Sequence, residues 1–589
     1  MEAGVSSIKG LIQNGKLFRI PYFQRSYVWG EKDWERFAMD MESTHDGRRD
    51  YFLGAVILKN EEQQENDGRN GIEQRCMVVD GQQRLTTLCI YMKVLHTFAL
   101  QSSNFEYQYL RDNGVKDPVI EHSREDREMF GNVMHLEFLR EMEHCGSNII
   151  KAYNYFYNRL LPNKDNRVYL RNLINTINAH IKFVVITLTT NDDEQQIFDT
   201  INSLGVPLTT CDLVKNFLYG PSDEEAYNEN WKVVFEDNED IRKFWDTDAS
   251  KSRQEKNKDN STIERFFHAF VRIKMWDFKS QLTESQRKDF VKISNVFSTC
   301  KAFVEVFGMD KQDLANEIIE YAKLFRSCLG EEVLDDEKIP MYGCIKRISC
   351  FINATKQYSV IPYVLYILHE VDDINECNRI FTYLESYLVR RILSESNNNS
   401  YSDLFTEGLI GNRINGYDSL SNYISQKDSD LSMPSDGKIK LNISSRNKSL
   451  RVEQAQIVLY LWETKLHNID KAFNDFYIQM LMPKLKNATE NWPQHRTDTI
   501  KEKERVMLMT TIGNYFLLEK TGEKPLKKKV DAKCSEKVDE MRKHYSNITC
   551  NQSLILGGTD RSITSWDEKS IKTRNEGLAK GFCERIWTI

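Results

Sequence analysis

At 589 residues the chain is far longer than a single hydrophobic core can organise, so three or four domains are expected. Hydrophobic residues at 40% and charged residues at 28% describe an ordinary soluble protein, and the net charge of -7 argues against a uniformly basic nucleic-acid binder while leaving room for a local basic face. The 12 cysteines are scattered without a C-x-x-C pair, which points to neither a zinc ribbon nor a disulfide framework; the first residues lack an apolar signal region and no later run approaches membrane-spanning length, so a cytoplasmic protein with no membrane partner is expected.

Residues 6–17 predict a short helix leading into a loop, 20–29, that carries Pro21, Tyr22, Gln24, Arg25, Tyr27 and Trp29. Aromatic rings beside an arginine suit stacking on bases while the guanidinium holds phosphate, with simple packing as the alternative. Asp33 opens a helix whose Trp34, Phe37 and Met41 share one face and read as core. Residues 62–74 are polar and read as an exposed hairpin or loop between two strands.

Val78 and Val79 then end a buried strand, Asp80 and Gly81 make a sharp turn, and Leu85, Leu88 and Met92 begin a helix running to about Ala99. Unpaired amides and the positive end of the helix dipole favour an anion at such a start. Arg84 would offer a fork that fits phosphate oxygens. Asp80, at the strand end, could hold a metal or orient water. Gln82, Gln83 and Thr86 crowd the same first turn, where two glutamines and an arginine are poor core residues. A helical insert is expected over about 100–180, a strand over 183–188, and a helix over 195–201 that Asn202 and Gly205 break. Asn202 reads as a helix end or as a ligand contact.

Pro21, Gln24-Arg25 and Trp29, then Gly54-Ala55, then Asp80-Gly81-Gln82-Gln83-Arg84, and finally Ile197-Phe198 through Asn202, Gly205, Leu208 and Asp212-Leu213-Val214-Lys215-Asn216 form ordered motifs over about the first 220 residues. In this order they resemble the GmrS-like N-terminal domain of GmrSD-type, modification-dependent (type IV) restriction proteins. That resemblance implies a mixed α/β fold related to ParB and sulfiredoxin, a bound NTP (ATP or GTP) with Mg2+, and double-stranded, modified DNA as partner.

Further along, 222–260 reads as a polar connection around the segment 231–235. Helical spacing continues from Thr262 to about Leu393, an all-α middle domain. Residues 426–449, with Pro434 and Gly437, are the candidate hinge. The expected domains are 1–220 with the helical insert, 221–425, a linker over 426–449, and 450–589.

From Arg451 onward the helix at 456–462, the segments 476–483 and 512–518, and the close at Trp566, Arg574 and Trp587 resemble the GmrD-like, HNH-type nuclease domain in overall pattern. An HNH site requires a histidine to activate water and a metal to absorb phosphate charge. The family places that histidine three residues before a proline, where this chain has Met480 before Pro483. Gln479 replaces the neighbouring acid, and the asparagines expected after the Gly513-Asn514 element give way to a basic run containing Lys524, Lys527, Lys528 and Lys529. A thioether cannot take the proton, so a degenerate nuclease is expected, with His495 as a conceivable substitute base. The lysine run reads as a solvated face or as a retained phosphate contact.

The sequence thus predicts an α+β protein: a ParB/sulfiredoxin-like N-terminal domain, a helical middle domain and a mainly α, HNH-like C-terminal domain. Arg84, Arg25, Gly81, Gln24, Thr86 and Asn202 are expected to bind the nucleotide. Asp80, Gln82 and Gln83 carry any hydrolysis, with Asp80 as the metal ligand. Tyr22, Tyr27 and Trp29 with the lysine run would read modified DNA. Cutting would fall to a related, nuclease-competent subunit of a two-component antiphage system. A non-enzymatic DNA sensor or scaffold, and an active endonuclease using His495, stay open as alternatives.

Overall fold

The computed structural model describes residues 2–12, 16–22, 24–47, 49–61, 75–112, 116–136, 140–142, 146–188, 209–220, 223–246, 261–336, 339–341, 343–428, 430–444, 449–466, 471–484, 490–492, 498–520, 533–543 and 566–588. These form two compact units, Met1–Lys232 and Val233–Ile589. Asn202, His495, the lysines within 524–529 and the loop 62–74 lie outside the described residues.

The first unit is built on six strands: β1 (Glu2–Ser7), β2 (Leu17–Arg19), β3 (Tyr51–Asn60), β4 (Arg75–Asp80), β5 (Ile120–Glu121) and β6 (Ile181–Leu188). Their order in the sheet is β1-β6-β3-β4-β2-β5. β6 lies parallel to β3 and antiparallel to β1, β3 is antiparallel to β4, and β2 runs parallel to both β4 and β5. The sheet is therefore mixed and the fold α+β. Alternation along the strands sends successive side chains to opposite faces. Val56, Leu58, Cys76 and Val78 enter one large core, whereas Ile57, Met77, Val79 and Leu188 form a small cluster on the other face with Leu213 against it.

The helices that pack into the large core include α1 (Glu31–Gly47), α2 (Gln82–Phe98), α3 (Asn148–Leu160) and α4 (Arg167–His180). α2 is buried on nearly every side from Gln82 to His96, apart from Arg84. The small face is covered by α5 (Thr210–Leu218), which carries Leu213. One expectation is corrected here. Residues 6–17 are not one helix: Ser6 and Ser7 end β1, a single turn spans Ile8–Ile12, and Leu17 opens β2, because pairing with distant partners overrides local preference. The insert over 100–180, expected to be largely helical, also lends β5 to the main sheet and holds the small ladder of Leu110–Asp112 with Lys116–Pro118.

The second unit is helical through Thr262–Lys274, Lys311–Cys328, α6 (Ile345–Thr355), Ile361–Glu370 and α7 (Ile374–Leu393). Beyond these come α8 (Val452–Leu466), an antiparallel pair made by β7 (Phe476–Met480) and β8 (Tyr515–Glu519), and the helix Glu568–Gly581. The segment expected as a hinge, 426–449, holds the helix Asp436–Ser444, and Arg390 Nε of α7 donates to Pro434 O at 2.9 Å. Pro434 and Gly437 here mark the approach to and start of a helix; they do not make a flexible connection.

A fully buried ion network crosses the boundary drawn from sequence. Glu385 of α7 accepts from Arg347 Nε (2.6 Å) and Nη2 (3.0 Å) of α6 and from Trp587 Nε1 (2.8 Å), and lies 3.3 Å from Lys465 Nζ of α8. Arg347 also donates to Thr464 Oγ1 and Leu461 O. Burial alone would raise the Glu385 carboxyl; Arg347 and Lys465 outweigh it and hold the pKa down at about 2.

Candidate functional site

The site lies where β4 ends. Gly81 adopts φ 97°, which a side chain would strain, and an added Cβ would sit 3.1 Å from Ala55 O. The turn delivers α2 with no side chain capping its start, so its first amides stay available, and Leu85 N–H to Gly81 O (3.0 Å) begins the helical ladder.

Arg84 leans back over β3. Gly54, at φ 128°, leaves space that an added Cβ would take from the guanidinium, with Arg84 Cζ only 3.1 Å away. Arg84 Nη2 lies 3.1 Å from Asp80 Oδ2, and both side chains are about a quarter exposed, at 23% and 29%. An anion reaching Arg84 would therefore compete with Asp80.

The 20–29 loop closes over this turn through side chains that hold its backbone. Gln24 Nε2 donates to Val78 O (2.8 Å) and Val79 O (3.0 Å) of β4. From the helix side, Gln82 Nε2 donates to Arg25 O (2.9 Å) and Gln83 Nε2 to Ser26 O (3.2 Å), while Gln83 Oε1 accepts from Val28 N–H (2.9 Å). The two glutamines are over nine-tenths buried and serve as brackets between helix and loop. Gln82 Oε1 is buried without a hydrogen-bond partner, at a cost of ~1–3 kcal/mol that a donor on a bound molecule would relieve.

Arg25 is thereby suspended beside the turn. Burial lowers its pKa, while the carboxylates of Asp212 and Asp80 favour its charged form. Asp212 lies within electrostatic reach of Arg25, and Lys215 follows it on α5; the signal available in sequence was their place in the last of the ordered motifs. Lys215 is 2% exposed, with Nζ 3.7 Å from Asp212 Oδ1.

Four residues expected to contact a ligand make contacts within the protein. Tyr27 is 4% exposed; its hydroxyl meets Thr87 Oγ1 (2.6 Å) and accepts from Trp34 Nε1 (2.9 Å), and its N–H donates to Asp126 Oδ2 (2.6 Å), so its ring is core and not a base-reading platform. Thr86 is 1% exposed and points at His122 Nε2 (3.1 Å), on the side of α2 away from Arg84. Tyr22 donates to Gly220 O (2.5 Å) and packs on Tyr227 with ring centroids 5.0 Å apart. Trp29 is half-buried, edge-on to Phe37 at 6.4 Å.

In the second unit, Met480 ends β7 opposite Tyr515 of β8, and Gln479 pairs with Phe516. Asn514 is fully buried and occupied: Nδ2 donates to Met482 O and Met509 O (both 2.9 Å), and Oδ1 accepts from Met482 N–H (2.8 Å) and Trp566 Nε1 (3.1 Å). It holds the turn together and has no lone pair left for a metal. Among the described residues no group of three His, Cys, Asp or Glu could hold a metal ion, and no helix is long and apolar enough to cross a membrane.

The mixed sheet of this α+β domain sets an uncapped helix start, two arginines and a strand-end aspartate around one glycine turn. Residues 8–219 match the family model described as GmrSD restriction endonuclease, N-terminal domain. No curated protein matches the chain. The match lies within the first unit, and its description is that of a domain of restriction endonucleases.

Proposed function

We propose that the first unit binds a nucleoside triphosphate, ATP or GTP, at the Gly81 turn, and that this binding governs a response to foreign, modified double-stranded DNA. The observation that carries the reading is the Asp80–Arg84 pair beside the uncapped start of α2, with Arg25 brought alongside by the glutamine brackets. Arg84 and Arg25 would neutralise phosphate oxygens, and the amides of residues 82–84 would complete the cradle. Gln82 Oε1 would accept a hydrogen bond from the ligand. A single strand-end carboxylate suits Mg2+, which keeps waters and substrate phosphates as most of its ligands; bound there, the ion would offset phosphate charge.

Calorimetric titration of the full chain with ATP and GTP, with and without MgCl2, tests this. Arg84→Ala is expected to weaken binding by ~2 kcal/mol, roughly 30-fold. Unchanged affinity for both nucleotides would sink the assignment. Turnover measured with and without modified DNA decides whether hydrolysis follows binding; binding of DNA with no effect of Arg84→Ala would favour the sensor or scaffold.

For the second unit the reading is a nuclease-like body that does not cut, with cleavage supplied by a related subunit. Met480 at the end of β7 and the fully occupied Asn514 support it. The purified chain is expected to leave plasmid DNA intact with Mg2+ or Mn2+. Cutting that His495→Ala abolishes would instead make His495 the base.

A further inference from the structure

The loop that closes over the Gly81 turn has a second attachment, just beyond α5. The Tyr22 hydroxyl donates to Gly220 O (2.5 Å), and the Tyr22 ring packs on Tyr227 with centroids 5.0 Å apart. Tyr227 meets Tyr219 edge-on at 5.8 Å, and Tyr219 meets Trp231 in the same way at 5.8 Å. All three of these rings are buried. Gly220 N–H donates to Asp223 Oδ2 (2.7 Å), which fixes the corner from which the helical turn Glu224–Ala226 starts.

Between its attachments the loop has no slack. Pro21 O accepts from Gln24 N–H (3.1 Å), so Tyr22 sits inside a closed turn, and the Gln24 side chain at the end of that turn is bonded to Val78 O and Val79 O of β4. The next two carbonyls, of Arg25 and Ser26, are taken by Gln82 and Gln83. Those glutamines belong to the uncapped first turn of α2. A line of direct contacts therefore runs from the start of α2, through the loop, to Tyr227.

Both ends of this line depart from well-satisfied structure. Gln82 Oε1 at one end and the Tyr219 hydroxyl at the other are buried without a hydrogen-bond partner. Tyr227–Trp231 is a π-helical turn, in which Lys232 N–H reaches back to Tyr227 O; such turns are rare and gather at functional sites. Lys232 is the last residue of the first unit, so this turn is the covalent way out of it.

We propose that Tyr22 couples the two ends: a triphosphate held at the Gly81 turn orders the π-helical turn Tyr227–Trp231, and with it the exit of the chain from the first unit, without touching either. The proposal rests on the triphosphate reading above. A ligand that bonds Gln82 Oε1 and pins the first turn of α2 leaves the glutamine brackets less freedom. The loop, held at Gln24 and Tyr22, passes that loss on to Gly220 and Tyr227. Linkage makes the coupling reciprocal, so opening the exit turn must weaken the ligand by the same factor.

Hydrogen–deuterium exchange of the full chain, with and without saturating ATP or GTP, reads residues 82–90 and 223–231 separately. In the wild type the nucleotide that binds is expected to slow both stretches about fivefold, the low end of ordinary coupling. Tyr22→Phe keeps the ring against Tyr227 and removes the bond to Gly220 O; it should retain the slowing at 82–90 and lose most of it at 223–231. Tyr227→Ala loosens the exit turn from the far side and takes no group from the site, yet should bind nucleotide about fivefold more weakly in calorimetric titration. Slowing at 82–90 alone in the wild type, an undiminished response at 223–231 in Tyr22→Phe, or a Tyr227→Ala chain that exchanges fast at 223–231 but binds like wild type, would each overturn the coupling and leave the triphosphate site standing. A wild type in which neither stretch responds to either nucleotide would instead remove the site, and the coupling with it.

Discussion

Replacing Gly54 by alanine asks whether the space that β3 leaves for Arg84 is there for binding. Gly54 holds φ 128°, and a Cβ would overlap Arg84 Nη1 while standing 3.1 Å from Cζ and 3.4 Å from Cδ, so the side chain must leave from its Cδ outward. Two effects separate. Alanine in that backbone region strains the fold by ~1–3 kcal/mol, which reads out in a denaturant melt. Displacing the guanidinium also breaks its partly exposed pair with Asp80, worth at most ~0.5 kcal/mol, and withdraws a charged contact from the ligand worth ~2 kcal/mol. Calorimetric titration should therefore find GTP or ATP bound roughly 30-fold more weakly. In an Arg84→Ala background, Gly54→Ala should still lower stability yet cost no further affinity. A Gly54→Ala chain that shows the strain in its melt but binds within twofold of wild type refutes Arg84 as a phosphate ligand.

Tyr27→Phe leaves Trp34 Nε1 without its buried acceptor, so a loss of ~1–2 kcal/mol in the melt with triphosphate affinity unchanged is expected; an affinity loss without destabilisation would return Tyr27 to the binding surface. Glu385→Gln strips the charge between Arg347 and Lys465 and should destabilise the second unit by ~3–5 kcal/mol, seen in its own unfolding transition. Because the folded Glu385 pKa of about 2 lies below its unfolded value, its contribution is whole above roughly pH 4.5 and fades as pH falls towards 2; a wild-type transition that does not weaken over that window contradicts the network. Burial pushes His122 down to about 3, so protonation favours the unfolded chain and stability should drop by on the order of 2 kcal/mol from pH 7 to pH 5, a slope that His122→Asn should flatten in chemical denaturation.

The strand–turn–helix at Val79 to Arg84 was legible because its signals are local: β-branched residues, then glycine, then helical spacing. α1 around Trp34 and Phe37, and the strand through Phe183 to Leu188, were legible for the same reason. What local pattern does not carry is the use of a side chain by a distant backbone. Gln82 and Gln83 read as groups for chemistry, since polar residues on a buried turn are unusual, and nothing nearby in sequence discloses that carbonyls 57 residues earlier occupy their amides. Tyr27 misled in the opposite way, because an aromatic ring beside arginine looks alike whether it stacks on a base or is buried with its hydroxyl bonded to Trp34. Within 426–449, composition cannot reveal the helix Asp436–Ser444 or that Arg390, far upstream, is bonded to the Pro434 carbonyl.

The order of strands in the sheet also has a consequence on the ribosome. β6, the strand that joins β1 to β3, is the last of the six to be synthesised, ending at residue 188 while β3 ends at residue 60. At about 5–20 residues per second, β3 waits on the order of ten seconds with its long parallel edge unpaired. An exposed β-branched edge of that kind is a template for pairing with other chains. Chains truncated before residue 181 leave that edge of β3 open and should aggregate instead of folding partway.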